Sequence, residues 1–283
     1  MKVIDRFEVM RELPGAFSSE VQLIRDCDNG VEYVLKRTPG EPFNDFHHEK
    51  LFYSYLKEIG VPYLKIYTSP LCEPDQFILE YLKDSYSLGE RESNNLYFVL
   101  GKYLRRLHHE EYDDSYRFVD GKKNLLSWND FIDETKTYLN YKYQKYQVEK
   151  TLSLKYLRLI DQVASVRPKY SRIHGDMHSN NALVNNNDLY LFDPSSFLIV
   201  GDYRYDICRV LFSLPGVYLG NVEKGENDSA LWDSFRTGYG LGETYFDDDF
   251  KNMLILTCVE NITNPFTQYA PALLDKVLEI DTL

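Results

Sequence analysis

Residues 174–196, HGDMHSNNALVNNNDLYLFDPSS, crowd carboxylates, amides and imidazoles around two short apolar runs. The cluster Asn185-Asn186-Asn187-Asp188 between the runs 182–184 and 189–192 predicts a hairpin, because Asn and Asp tolerate the backbone of a tight turn. With the turn at 185–188, Val184 pairs with Leu189, Leu183 with Tyr190 and Ala182 with Leu191, and Asn181 falls opposite Phe192. Asn181 and Asp193 are then neighbours. An amide oxygen and a carboxylate at one end of a rigid hairpin suit a hard cation such as Mg²⁺, which prefers oxygen ligands and keeps waters that a phosphate can replace. Asp176 lies on the segment leading in. A carboxylate there can accept a hydroxyl proton or orient a hydroxyl for attack. The rival reading is a surface turn decorated with solvated Asn and Asp; the combination D-x-x-x-x-N, hairpin, D argues against it.

A second set of residues lies in the first quarter of the chain. Glu49 shares a helical stripe with Phe52, Tyr53 and Leu56, the face that should meet a sheet. A carboxylate buried there needs a cation. Lys36, at the end of VEYVLK, shares a strand face with Val34 by the period of two and is the candidate. Such a pair would hold the ammonium where it can grip nucleotide phosphates, with Val34 roofing the base. In LPGAFSSEV, residues 13–21, Gly15, Ser18 and Ser19 would let backbone N–H groups approach phosphates.

The elements that must carry these residues follow from pattern. Strands are predicted at 21–25 and 31–37, around an Asp-Asn-Gly turn. A helix follows, opened by Asn44 or Asp45 and closed at Gly60, with Pro62 beyond; KIYTSPL and QFILEYL read as two more strands. From Ser93 helical periodicity takes over, with Leu96, Leu100, Tyr103, Leu104 and Leu107 in one stripe and further helical patterns over 128–165 and 228–283. The expected fold class is α+β: a small antiparallel-sheet lobe over residues 1–80 and a mainly helical lobe over 81–283 that contains the polar hairpin.

Composition narrows the partners. The chain has 283 residues and a net charge of −12, which disfavours nucleic acid. Cys27, Cys72, Cys208 and Cys258 stand far apart with no CxxC pair, so a metal cluster or disulfide framework is not expected and a reducing cytoplasm fits. MKVIDRFEVM lacks the apolar core of a signal peptide, and no apolar run approaches the ~20 residues of a membrane span. The expectation is a soluble, cytoplasmic protein. His47, His48, His108 and His109 lack ligand partners at metal spacing, and His174 and His178 read as groups that hold a loop by hydrogen bonds.

Together these residues resemble the aminoglycoside phosphotransferase and choline kinase family, small-molecule relatives of the protein kinases. LPGAFSSEV looks like its phosphate loop, YVLK its lysine strand, HHEKLFYSYL its helix with the paired Glu and FILEYL its interlobe hinge. LRRLHH resembles its Leu-x-x-Leu-His helix end, HGDMHSNN its H-G-D-x-x-x-x-N, LFDPSS its metal-binding Asp and GDYRYDICR its G-D-x-x-x-D-L-A segment.

The resemblance implies a two-lobed protein-kinase-like fold that moves the γ-phosphoryl of ATP or GTP, with Mg²⁺, onto a hydroxyl. Asp176 would be the catalytic Asp, Asn181 and Asp193 the Mg²⁺ ligands, Lys36 the phosphate lysine and Glu49 its partner. Backbone around Glu80 to Leu82 would hold the purine, and Asp206 would brace the catalytic loop. Two departures stand out: the phosphate loop is not G-x-G-x-x-G, and Pro-Ser rather than Phe-Gly follows Asp193. The expected acceptor is a sugar, aminoglycoside or amino-alcohol; the Tyr-rich 138–156 stretch and Asp247-Asp248-Asp249 fit a sugar-like or cationic molecule. A nucleotide-binding pseudokinase scaffold would lack one of Asp176, Asn181, Asp193 and Lys36, and all are present. A protein kinase would need a longer segment after Asp193 than PSSFLIVGDYRYD.

Overall fold

The computed structural model describes residues 6–13, 20–37, 46–67, 76–119, 122–195, 197–220 and 228–280. Its N-terminal part comprises β1 (Phe7–Glu12), β2 (Glu20–Asp26), β3 (Glu32–Arg37), α1 (Phe46–Glu58), β4 (Ile66–Tyr67) and β5 (Gln76–Glu80). The strands form an antiparallel five-stranded sheet in the order β1-β2-β3-β5-β4. Asp26 ties the β2–β3 turn by accepting from the Asp28 amide at 2.9 Å, and Gly30 turns the chain at φ 73°. Tyr33 and Leu35 pack with Phe7, Ile24 and Ile78, while Val34 packs on the main core. The period of two thus gives β3 one face for each side of the sheet. β1 is the strand that sequence pattern does not reveal: only Phe7 of FEVMRE is buried, so no alternation marks it. Asn44 and Asp45 lie outside the described residues, whereas Gly60 ends α1 at φ 68°.

After β6 (Tyr86–Ser87) comes α2 (Asn94–Leu107), capped by Ser93, whose Oγ accepts from the Leu96 amide. Of the expected stripe Leu96, Leu100, Leu104 and Leu107 are buried, and Tyr103 is half-buried. β7 (Ser115–Val119), β8 (Lys122–Leu126), α3 (Trp128–Lys145) and α4 (Lys150–Val163) follow, then β9 (Tyr170–Arg172), β10 (Ala182–Asn185), β11 (Asp188–Leu191) and β12 (Val200–Asp202). The chain continues through α5 (Arg204–Phe212), α6 (Gly216–Leu219), α7 (Asp228–Tyr239), α8 (Asp248–Glu260) and α9 (Ala270–Glu279). Helix α8 is the centre of this part: every residue from Met253 to Val259 is buried.

The second part is therefore not helices plus one hairpin. β8-β7-β12-β9 form a four-stranded sheet, and β6 adds a third strand to the hairpin through Leu183–Ser87 and Val184–Tyr86. β8 is exposed except at Leu126, and β9 and β12 are too short to show a period, so nothing in their sequence signals strands. No helix among the described residues is long and apolar enough to cross a membrane.

Candidate active site

The β10–β11 hairpin has the register expected from sequence, with Ala182–Leu191, Leu183–Tyr190 and Val184–Leu189 pairs, and Asn181 accepts from the Phe192 amide at 3.2 Å. The turn is tighter than expected. Asn185 and Asp188 pair, and Asn186 and Asn187 alone close the loop at φ 50° and 69°, both left-handed.

The loop before the hairpin is held from below. Asp206, fully buried on α5, accepts from the amides of His174 (2.7 Å) and Gly175 (2.8 Å) and lies 3.1 Å from His108 Nε2. His108 Nδ1 in turn lies 2.9 Å from the Tyr239 hydroxyl. Gly175 has φ 76°, and a Cβ there would strike Ser195, so the turn needs glycine twice over. His174 Nε2 sits 2.9 Å from the Phe192 carbonyl and His178 Nδ1 accepts from the Asn180 amide at 3.2 Å. Both imidazoles hold the loop, and burial keeps both below the ordinary histidine range, His178 at about 4.

Asp176 emerges from this loop half-exposed. Asn181 Nδ2 donates to the Asp176 carbonyl at 2.8 Å and to its Oδ2 at 3.3 Å. The amide is thereby oriented with Oδ1 as its remaining acceptor. Asp193 follows β11 at φ 58°, a left-handed conformation that Asp tolerates better than most residues.

Lys36 closes the cleft from the sheet. Its Nζ donates to Glu49 Oε2 at 2.8 Å and to Asp193 Oδ1, so the strand–helix pairing expected from sequence also reaches the hairpin. Tyr53 adds a hydrogen bond to Glu49 at 2.7 Å. Burial alone would lower Lys36, but the Glu49 and Asp193 carboxylates outweigh it and hold the ammonium above the ordinary lysine range. Burial pushes Glu49 upward against the opposing pull of Lys36. Helix α1 also packs on the loop through Phe52, edge-on to His174 with ring centroids 5.2 Å apart.

Val34 lies between Leu23 and Leu79 on the same strand as Lys36. At the β5 end the Glu80 amide donates to the Lys65 carbonyl at 2.9 Å, and its carboxylate pairs with Lys65 Nζ at 3.0 Å. Leu82 accepts from the Ser85 amide at 3.3 Å. Gly15, Ser18 and Ser19 lie outside the described residues.

A model of a phosphotransferase enzyme family matches residues 9–239. The chain belongs to the phosphotransferase enzyme family. It is a phosphotransferase with a hydroxyl acceptor. Similar solved structures include a thermostable mutant of aminoglycoside phosphotransferase APH(4)-Ia, 14% identical over 96% of this chain and 94% of that chain, with a TM-score of 0.71. Amicoumacin kinase hAmiN, solved with AMP-PNP, Ca²⁺ and Ami, is 15% identical over 98% and 87% at a TM-score of 0.64. Plasmodium vivax ethanolamine kinase is 14% identical over 97% and 82% at 0.63. They share the two-lobed protein-kinase-like fold. A comparison with curated proteins finds no match.

In this phosphotransferase the site holds residues that sequence reasoning passed over. Arg209 on α5 donates to Asp176 Oδ1, and its Nη1 lies 3.9 Å from Glu260 on α8. Tyr205, one turn earlier on α5, donates to Glu260. The signal for Arg209 was present in YDICR, where it stands on one helix face with Tyr205; nothing local pointed to Glu260. The acidic run resolves differently from expectation. Asp247 caps α8 by accepting from the Phe250 amide at 2.8 Å, and Asp249 pairs with buried Arg204 at 2.9 Å. Those two carboxylates are structural, and the cationic-acceptor reading of the run loses their support.

Proposed function

We propose that this phosphotransferase is a small-molecule kinase that moves the γ-phosphoryl group of ATP or GTP to a hydroxyl of a sugar, aminoglycoside or amino-alcohol. Its nucleotide lobe spans residues 1–80, and its acceptor lobe spans 81–283. The observation that carries the reading is the bonded chain Glu49–Lys36–Asp193 on one side of the cleft and Asn181–Asp176 on the other, joined through the Phe192–Asn181 hydrogen bond. Lys36 supplies fixed positive charge for the phosphates, kept in place by Glu49, and Val34 and the Glu80–Leu82 backbone border the base. Gly15, Ser18 and Ser19 remain the proposed phosphate loop.

The oxygen donors of Asp193 and Asn181 fit a hard divalent cation: Lys36 occupies one Asp193 oxygen, and the Asn181 amide is turned with its oxygen as the remaining donor. When bound there, Mg²⁺ supplies charge neutralisation on the phosphates. The acceptor oxygen attacks the γ-phosphorus, the bond from the γ-phosphorus to the bridging oxygen breaks, and the nucleoside diphosphate leaves. Asp176 orients the attacking hydroxyl and takes its proton. Retention of all four polar groups speaks against a pseudokinase scaffold, and nothing in the comparisons favours a protein acceptor.

Asp176→Asn tests the assignment by phosphorus NMR of phosphoester formation beside nucleotide titration. Transfer should fall by roughly 10²–10⁴-fold, with nucleotide affinity little changed. A variant that turns over at the parent rate overturns the role of Asp176.

A further inference from the structure

Beyond Asp176 the helical lobe presents a wall made by α3, α5 and α8. Arg209 reaches Asp176 with one end of its guanidinium and approaches Glu260 with the other, and its side chain is only 15% exposed. Glu260 also accepts from the Tyr205 hydroxyl. Lys142 on α3 completes the group; its ammonium donates at 3.2 Å to the main-chain carbonyl of Glu260, a neutral acceptor.

The charges do not balance once the reaction is considered. In the proposed reaction Asp176 takes the proton of the acceptor hydroxyl, and its negative charge beside Arg209 is then lost. Glu260 is then the one carboxylate left beside Arg209, Lys142 reaches only its main-chain carbonyl, and the wall carries one net positive charge. Burial works against both cations, pulling Arg209 and Lys142 below their ordinary ranges while Glu260 opposes the shift. A partly desolvated cation is costly unless an anion meets it.

We propose that the acceptor is a hydroxy acid, whose carboxylate is held by Arg209 and Lys142 while its hydroxyl lies against Asp176. A single negative charge matches the wall, and the guanidinium fork is shaped for a carboxylate. A dianionic phosphate would exceed the available positive charge and meet Glu260. A polycationic aminoglycoside or a choline-like ammonium would meet Arg209 and Lys142 as like charges. The inference rests on the kinase reading and puts an anionic acceptor in place of the neutral and cationic ones of the expected range.

The test separates the two. Saturation-transfer NMR of the full chain with Mg²⁺ and a non-hydrolysable ATP analogue is run against three pools that differ in charge. These are hydroxy acids (glycerate, lactate, gluconate), neutral polyols (glycerol, glucose) and cations (ethanolamine, choline, kanamycin). The acids should bind, and Lys142→Glu should weaken them by at least about tenfold, as expected for loss and reversal of a close charge contact. Lys142→Arg, which keeps the charge, should retain binding, and this guards against a variant that merely misfolds. Absence of acid binding, or acid binding indifferent to Lys142→Glu, overturns the inference. Phosphorus NMR with ATP then bears on the kinase reading: a phosphoester formed only in the neutral or cationic pool keeps that reading and overturns the hydroxy-acid acceptor. Failure to bind nucleotide removes both.

Discussion

Lys36 joins three elements through one ammonium: it sits on β3, bonds Glu49 on α1 and reaches Asp193 after β11. Glu49 is buried, so removing the lysine leaves an uncompensated carboxylate and, in the proposed reading, takes away the cation that holds the phosphates. Lys36→Ala should therefore lower stability by about 3–5 kcal/mol, the usual cost of breaking a buried pair, and also weaken nucleotide binding. Adding Glu49→Gln removes the stranded charge. The double variant should recover most of the stability in urea unfolding but none of the nucleotide affinity. Recovery of both in the double variant would show that Lys36 serves the fold alone.

At the scale of elements, helix α5 does most to organise the site. Asp206 grips the amides of the 174–175 turn, and Arg209, on the same helix, grips Asp176, so the loop and its carboxylate are placed by one rigid body. Asp206 is also tied through His108 to Tyr239 at the end of α7. Helix α7 in turn lies in backbone contact with α2: a Cβ on Gly238 would land on the Phe98 carbonyl, and one on Gly101 on the Phe235 carbonyl. Gly238→Ala decides whether that contact matters. On a free helix the change would gain roughly 1 kcal/mol of helix propensity. Here it should instead destabilise the protein by about 1–3 kcal/mol, because the helices must separate. A rise in melting temperature would contradict the close packing.

For the molecule as a whole, acid sensitivity follows from the imidazoles under the loop. Burial lowers the pKa of His174, and that of His178 from 6.5 to about 4, so the native state resists protons that the unfolded chain accepts. Their contribution to stability is intact above the unfolded value of 6.5 and is lost as pH falls toward about 4. His178→Asn keeps a side-chain acceptor for the Asn180 amide and removes the titration. Urea midpoints measured between pH 7.5 and 5 should fall less steeply in that variant than in the parent. The comparison isolates the imidazole from Glu49 and Glu260, whose raised carboxyls act in the opposite sense. Parallel curves for the two proteins would assign the acid sensitivity elsewhere.

Local order was legible in the chain by itself. The Asn-rich turn determined the hairpin register, because side-chain alternation leaves one pairing that buries Ala182, Val184, Leu189 and Leu191 together. A carboxylate on the apolar stripe of α1 pointed to Lys36, because buried charge demands a partner. Tertiary structure decided what carried no such period or debt. β1, β8, β9 and β12 are exposed or short, and they become strands because neighbouring edges supply their hydrogen bonds. Asp247 and Asp249 looked like a free acidic patch until folding brought the Phe250 amide and Arg204 to them. The wall of Arg209, Glu260 and Lys142 comes from α5, α8 and α3, far apart in sequence, and its charge balance exists only where those helices meet.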